Sequence, residues 1–162
     1  MTPLRFRVAG TPVTQGSHRA WKPKGADFAH VVDANQKVLR PWRDAIRCDA
    51  QDAAGPAWQP LDCPVRVILH FAVPRPRSAP KRRRTWPTGA RSGDVDKLAR
   101  AALDALTDAG IWTDDARVVE LIVTKDYAGD AFQPSPGVVI SVQPIEHAAP
   151  LSRNQTQEAL NL

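Results

Sequence analysis

This chain lacks the usual marks of small-molecule chemistry. Its 162 residues contain no GxGxxG pattern and no GxxxxGK followed by Ser or Thr, which argues against dinucleotide or ATP use and so against a nucleotide cofactor. Only two cysteines are present, Cys48 and Cys63, with no CxxC between them. Zinc is therefore not expected, and the pair reads as reduced packing residues of a cytoplasmic protein. The four histidines, His18, His30, His70 and His147, are scattered, and His70 falls in a strand pattern as a packed or surface residue. No apolar run approaches the ~18 residues of a membrane span, and the N-terminus has no secretory signal, so a soluble, intracellular protein with no membrane partner is expected. No internal repeat is visible, and the length suits one core rather than two.

What is present is charge, unevenly placed. Lys and Arg number 22 against 17 Asp and Glu, a net charge of +5 and a pI near 9.7, a balance that favours polyanionic partners. Seven of the cations, Arg75, Arg77, Lys81, Arg82, Arg83, Arg84 and Arg91, lie in one stretch free of acidic residues, leaving 15 basic against 17 acidic elsewhere. Pro74, Pro76, Pro80 and Pro87 bar that stretch from being a regular helix or central strand. It reads as a loop that grips phosphates, the alternative being a solvated basic linker. Trp86 within it has two open readings, stacking on an unpaired base or packing the loop down.

The loop leads into GDVDKLARAALDALTDAGIWTDDARVVE, residues 93–120, which sets Asp94 and Asp96 at one end of a helical segment and Asp114 and Asp115 at the other. Ionised carboxylates held together repel, unless a hard divalent cation such as Mg²⁺ neutralises them. Leu98, Ala101, Ala102, Ala105, Leu106 and Ala109 follow helical spacing, and Gly110 stops the helix. If residues 94–96 are extended, Asp94 and Asp96 share a side of the chain. Asp96, in the first turn, is favoured as an anion by the helix dipole, and Arg100 shares its face, placed to meet a scissile phosphate. Taken singly, an Asp-Arg pair is a surface ion pair and an Asp-x-Asp a helix cap. The helix is roughly 20 Å long, so the second acidic pair meets the first only if the chain doubles back beside it.

The rest predicts a small α/β (α+β) single domain over residues 1–146, with a mixed sheet of about four strands and two helices in the order β, α, β, α, β, β. Leu4 to Val8 alternates as a strand that Gly10-Thr11-Pro12 ends. A loop from Val13 to about Arg40 carries His18, Arg19, Lys22 and Lys24 as possible backbone contacts for a polyanion. Pro41 suits a first helical turn, with Trp42, Ala45, Ile46, Ala50 and Ala53 on one face. Val65 to Val73, Val118 to Val123 and Val138 to Val142 read as strands, the first with uncertain register. Residues 147–162 have little to bury and read as a flexible tail.

The stretch Asp94-Val95-Asp96-Lys97-Leu98-Ala99-Arg100, then Asp104-Ala105-Leu106, then Gly110-Ile111-Trp112-Thr113-Asp114-Asp115-Ala116-Arg117-Val118-Val119, resembles the RusA family of Holliday-junction resolvases. Segments Phe6 to Pro12 and Lys125-Asp126-Tyr127 agree with that layout. The resemblance implies a bacterial or phage-encoded, Mg²⁺-dependent endodeoxyribonuclease, with Mn²⁺ as a substitute, that resolves four-way junctions in recombination and repair by paired symmetric nicks. It implies metal ligation by Asp94, Asp96 and Asp115, with Asp114 as an acidic neighbour and Arg100 in the catalytic set. Lys97 and Lys125 join the loop cations as expected DNA contacts. Two residues depart from the family pattern, Lys97 where asparagine is usual and Arg100 where the family has a catalytically important lysine. Arginine keeps the charge but is a poor proton donor. Lys97, one step round the helix from Asp96, reads as solvated. A four-way junction is cut on two symmetry-related strands, so a homodimer is expected. The rival expectation is a branched-DNA-binding protein with weak or lost catalysis.

Overall fold

The computed structural model describes residues 3–16, 18–21, 30–33, 36–80, 83–130 and 133–145. Strand β4 (Val65–Val73) shows most simply how the pattern becomes a fold. Val65, Val67, Leu69 and Phe71 are buried while Arg66, Ile68 and His70 are partly exposed, so the strand obeys a period of two and Ile68 belongs to the other face. The register left uncertain above is thereby settled. On its two sides β4 pairs in parallel with β5 (Val118–Tyr127) and antiparallel with β6 (Gly137–Pro144), which pairs antiparallel with β1 (Leu4–Ala9). The sheet order is β1-β6-β4-β5. The mixed four-stranded sheet with two helices is the expected α+β architecture.

Both helices cover one face of the sheet. Helix α1 (Gln36–Ala54) buries Leu39, Trp42, Ile46 and Ala50, and α2 (Val95–Asp108) buries Leu98, Ala99, Ala101, Ala102, Ala105 and Leu106. These join Val65, Val67, Leu69, Val138, Ile140 and Val142 in one hydrophobic cluster. The stripe anticipated for α2 is all buried except Ala109, which is partly so. Arg43 ties the helices together through Asp104 at 3.4 Å and Asp108 at 2.5 Å. Helix α2 closes with Gly110 at φ +73°, the Ile111 N–H returning to the Leu106 carbonyl at 3.1 Å and the Gly110 N–H to that of Thr107 at 3.0 Å. Glycine tolerates this left-handed conformation, which satisfies two orphan carbonyls of the last turn.

Three expectations need correction. Helix α1 starts five residues before Pro41, which therefore lies inside it and removes the ladder bond to the Lys37 carbonyl. Burial of Leu39 in phase with Trp42 and Ile46 is what carries the helix back past the proline. Ala53 is exposed rather than on the buried face. The loop expected from Val13 to Arg40 contains an antiparallel pair, β2 (His18–Trp21) and β3 (His30–Asp33); four residues are too few for alternation to signal a strand. Lys22, Lys24, His147 and the 147–162 tail lie outside the described residues. Among the described residues no helix is long and apolar enough to cross a membrane.

Leu69, fully buried in the central strand, tests this core. Leu69→Ala should lower unfolding free energy by about 3 kcal/mol in a urea titration, because the cavity cannot refill between strand and helices. A loss under about 1 kcal/mol would mean that the core is looser than described.

Candidate active site

The chain enters the first acidic pair through a braced turn. Ser92 Oγ donates to the Pro87 and Gly89 carbonyls at 2.6 Å each. Gly93 follows at φ +77°, and a Cβ there would stand 2.5 Å from Thr14 Cγ2, so both backbone and space require glycine. Asp94 remains extended and the helix begins at Val95, which puts Asp96 in the first helical turn. The pair is therefore not an extended Asp-x-Asp but straddles the helix start. The Asp94 side chain makes no cap hydrogen bond. Its carboxylate accepts from Lys97 Nζ at 2.9 Å. Lys97 is thus ion-paired, with its side chain still 40% exposed. Its ammonium lies close enough to Asp94 and Asp96 for both to raise its pKa, Asp94 foremost through the hydrogen bond. The same bond holds the Asp94 carboxyl below the ordinary carboxylate range, and it stays ionised at neutral pH.

Lys125 approaches the pair from β5. In phase with Leu121 and Val123 it faces the helices, where its ammonium donates to the Gly93 carbonyl and to Ser92 Oγ at 3.1 Å. Burial pushes its pKa down, against the pull of Asp94. The side chain braces the turn that presents Asp94 instead of standing free on the surface, and strand alternation was the sequence signal that could have shown it. Arg100 is exposed one turn from Asp96 and forms no ion pair with a described residue. Gln15 N–H reaches the Lys97 carbonyl at 3.1 Å and fixes the segment after β1 against α2.

The second acidic pair sits elsewhere. Asp114 caps the short turn Asp115–Arg117, accepting from the Ala116 N–H at 2.8 Å, and the Asp115 carboxylate is exposed. This turn is moored to Asp62, which takes Arg117 Nε at 2.8 Å and Thr113 Oγ1 at 3.1 Å. Trp112 donates to Thr107 Oγ1 at 2.9 Å. These anchors hold it against the C-terminal end of α2, whose 14 residues span about 21 Å. The chain does double back, as β5, but only after Asp115. One chain therefore brings together Asp94, Asp96, Lys97 and Lys125 and leaves Asp114 and Asp115 at the far end. Among the described residues no group of three or more His, Cys, Asp or Glu is placed to hold a metal.

The basic loop is partly self-paired. Arg75 bonds Asp130 and the Pro80 carbonyl and lies 5.8 Å from the Tyr127 ring centre. Arg84 bonds Asp126 at 2.8 Å and stacks over Trp86 at 4.1 Å. Arg77, Arg83 and Arg91 are exposed, while Lys81 and Arg82 lie outside the described residues. Trp86, 58% exposed, borders a pocket of about 400 Å³ on the helix-free face, lined by Arg5, His70, Arg84, Thr124 and Gln133. Arg5 was not among the expected contacts; it alternates outward in β1.

The sequence profile of the family described as endodeoxyribonuclease RusA matches residues 9–143. The chain belongs to the RusA family. Over 35 residues it is 57% identical to crossover junction endodeoxyribonuclease RusA of Escherichia coli K12 and of Shigella sonnei Ss046, and 54% identical to that of Enterobacteria phage 82. Each match covers 22% of this chain and 29% of the relative, so these alignments span less than a third of the curated proteins. The RusA-family match, by contrast, takes in both acidic turns, the basic loop and strands β4 and β5.

Replacing Lys97 with alanine removes the hydrogen bond that depresses Asp94, so the Asp94 titration midpoint should rise toward the ordinary carboxylate value near ~3.9. A side-chain carboxyl NMR titration measures it. An unmoved midpoint would show that the ion pair does not form in solution.

Proposed function

We propose that this protein is a divalent-metal-dependent endodeoxyribonuclease that cuts four-way DNA junctions inside the cell, acting as a homodimer. The observation that carries this reading is the RusA-family match over residues 9–143, together with an uncapped, ionised Asp94 beside Asp96 at the start of α2. Two exposed carboxylates suit Mg²⁺, a hard cation that takes one or two of them and fills its remaining sites with water and phosphate oxygens. A bound Mg²⁺, or Mn²⁺ in its place, would supply the charge that acidifies an attacking water and neutralises the phosphate. Asp94 and Asp96 would hold it; Asp115, the third carboxylate that the family resemblance implies, stands at the far end of α2 within one chain.

The remaining roles belong to the chain's own cations. Arg100, exposed one helical turn from Asp96, would meet the developing charge on the phosphate as a charge stabiliser and not a proton donor. Lys97 would exchange its Asp94 partner for a phosphate oxygen when metal occupies the carboxylates. Lys125 holds the Gly93 carbonyl and so keeps Asp94 in place. Arg77, Arg83 and Arg91 would contact the DNA backbone, while Arg75 and Arg84 shape the loop through Asp130 and Asp126. Paired symmetric nicks require two sites related by a two-fold axis, hence the homodimer. The second reading, a junction-binding protein without catalysis, draws on the ion pair that occupies Asp94 and on the distance between the acidic turns.

A labelled four-way junction incubated with the protein and Mg²⁺ or EDTA tests the choice. Paired nicks that need metal and disappear in Asp96→Asn, with binding retained, are expected. Binding without nicks in either Mg²⁺ or Mn²⁺ would sink the nuclease reading in favour of the second one. In binding titrations, Arg77→Ala combined with Arg83→Ala should reduce the slope of log affinity against log salt by roughly 2, about one for each lost phosphate contact.

A further inference from the structure

The register of the sheet makes a hollow on its helix-free face. Val139, His70 and Thr124 lie side by side across β6, β4 and β5, and the next row on that face is Gly137, Ala72 and Asp126. A glycine and an alanine in the middle of that row leave space that larger side chains would fill. Both helices lie on the other face, so neither covers it. The result is the pocket of about 400 Å³ described above, with apolar Ala72 and Val139 in its lining and Trp86 and Arg84 reaching it from the basic loop.

The chemistry of the walls is specific. Trp86 is 58% exposed and so does not serve to pack the loop down, although a ring of that size gains most from burial. Arg84 lies over the ring at 4.1 Å and is itself anchored to Asp126 at 2.8 Å, which also neutralises that carboxylate. Ring and guanidinium form a flat, cationic platform of the kind on which nucleobases stack. Around it stand a few fixed polar groups. His70 Nδ1 lies 2.6 Å from Thr124 Oγ1, and the Gln133 amide donates to the His70 carbonyl at 2.6 Å. Arg5 adds a second cation. An apolar hollow with an aromatic wall and convergent polar groups is the build of a small-ligand site, and such sites have volumes of about 300–1,000 Å³.

The pocket also backs on the first acidic turn. Thr124 and Asp126 belong to its lining, while the ammonium of Lys125, between them, holds the Gly93 carbonyl beside Asp94 on the opposite face. A packed sheet layer is about 10 Å thick. A DNA strand passing the C-terminal ends of β4 and β5, along the basic loop, covers that distance in about three nucleotides at ~3.4 Å each. Bases at a branch point are held less firmly than those inside a duplex, and extrusion is least costly where pairing is already weakened.

We propose that this pocket takes one unstacked nucleobase of the bound junction, from within about three nucleotides of the cleaved phosphate, with its plane on the Trp86 and Arg84 platform and a flanking phosphate met by Arg5. The stack accepts any base, since every base has a π-face, and it favours branched over linear DNA because only the branch releases a base at low cost. This site rests on the junction reading, which it deepens by naming the element that recognises the branch.

A double-mutant cycle between protein and DNA tests it, run in EDTA so that no cleavage intervenes. An abasic residue is placed in turn at each position within about three nucleotides of the crossing, and the affinities of wild type and Trp86→Ala are compared. On the intact junction Trp86→Ala should weaken binding about five- to hundredfold, the measured range for one stacked base. On the junction that lacks the inserted base the same substitution should change affinity less than about twofold, and Trp86→Phe should keep most of the wild-type affinity for the intact one. An unchanged thermal midpoint checks that Trp86→Ala is folded. Equal losses on intact and abasic junctions at every position would show that Trp86 only shapes the loop, and would overturn the pocket. In the unsubstituted protein, 5-iodouracil at the coupled position should crosslink to Trp86 under ultraviolet light; if Trp86→Ala unfolds, this crosslink decides alone, and its absence at every position counts against the pocket. If branched and linear DNA bind alike, the junction reading fails, and the same cycle on a single-stranded oligonucleotide with and without one base still decides whether the pocket takes a base. Free dAMP at millimolar concentration should not displace the junction. Displacement that Trp86→Ala abolishes would make this a free-nucleotide site and overturn its assignment to DNA.

Discussion

The parallel pairing of β4 with β5 is the constraint from which the rest of the molecule follows. Parallel neighbours cannot be joined by a tight turn, so the chain must travel back along the sheet before β5 can begin. Helix α2 makes that journey, its alanine-rich face packed on the sheet and on α1. Its two ends necessarily lie at opposite ends of the strands. The basic loop is pinned at one end, where β4 finishes, and the Asp62-anchored turn at the other, where β5 starts. The separation of the two acidic turns is a consequence of this crossover.

Within that frame, cations do two different jobs. Arg75, Arg84 and Lys125 are consumed by the fold, since each is bonded to a carboxylate or a carbonyl and has lost the freedom of a surface charge. Arg77, Arg83, Arg91 and Arg100 remain exposed. Net charge counts both kinds equally, although only the second kind is at liberty to meet a phosphate without first breaking an internal bond. Lys97 is intermediate: its partner Asp94 is an exposed carboxylate, and such a pair exchanges readily for stronger ligands.

Much of the fold was legible because the signals are local. The bounds of β4 and the buried face of α2 follow from the spacing of apolar residues, and the end of α2 from Gly110. The start of α1 was not legible at Pro41, because the burial of Leu39 outweighs the preference of proline for a first turn. Lys97 is exposed as its helical position suggests, but its ion pair was not legible, since helical position predicts a face but not that Asp94 leaves its cap role unfilled and turns its carboxylate to the ammonium. The run Val118 to Val123 reads as a strand without showing its place in the sheet, and three of its five apolar residues are exposed, because whether a strand is central or at an edge depends on which others pair with it.

The sequence by itself determined the RusA family, the two acidic turns, the helix between them and the concentration of positive charge before Asp94. These are properties of residue type and spacing along one segment. Only the tertiary structure decided that the acidic turns stand at opposite ends of the βαβ unit, that Lys125 turns inward beneath Gly93, and that β5 is left with an open apolar edge. Periodicity reports the face on which a side chain emerges, but not the direction in which the next strand runs or which neighbour it finds, and those are settled by long-range pairing.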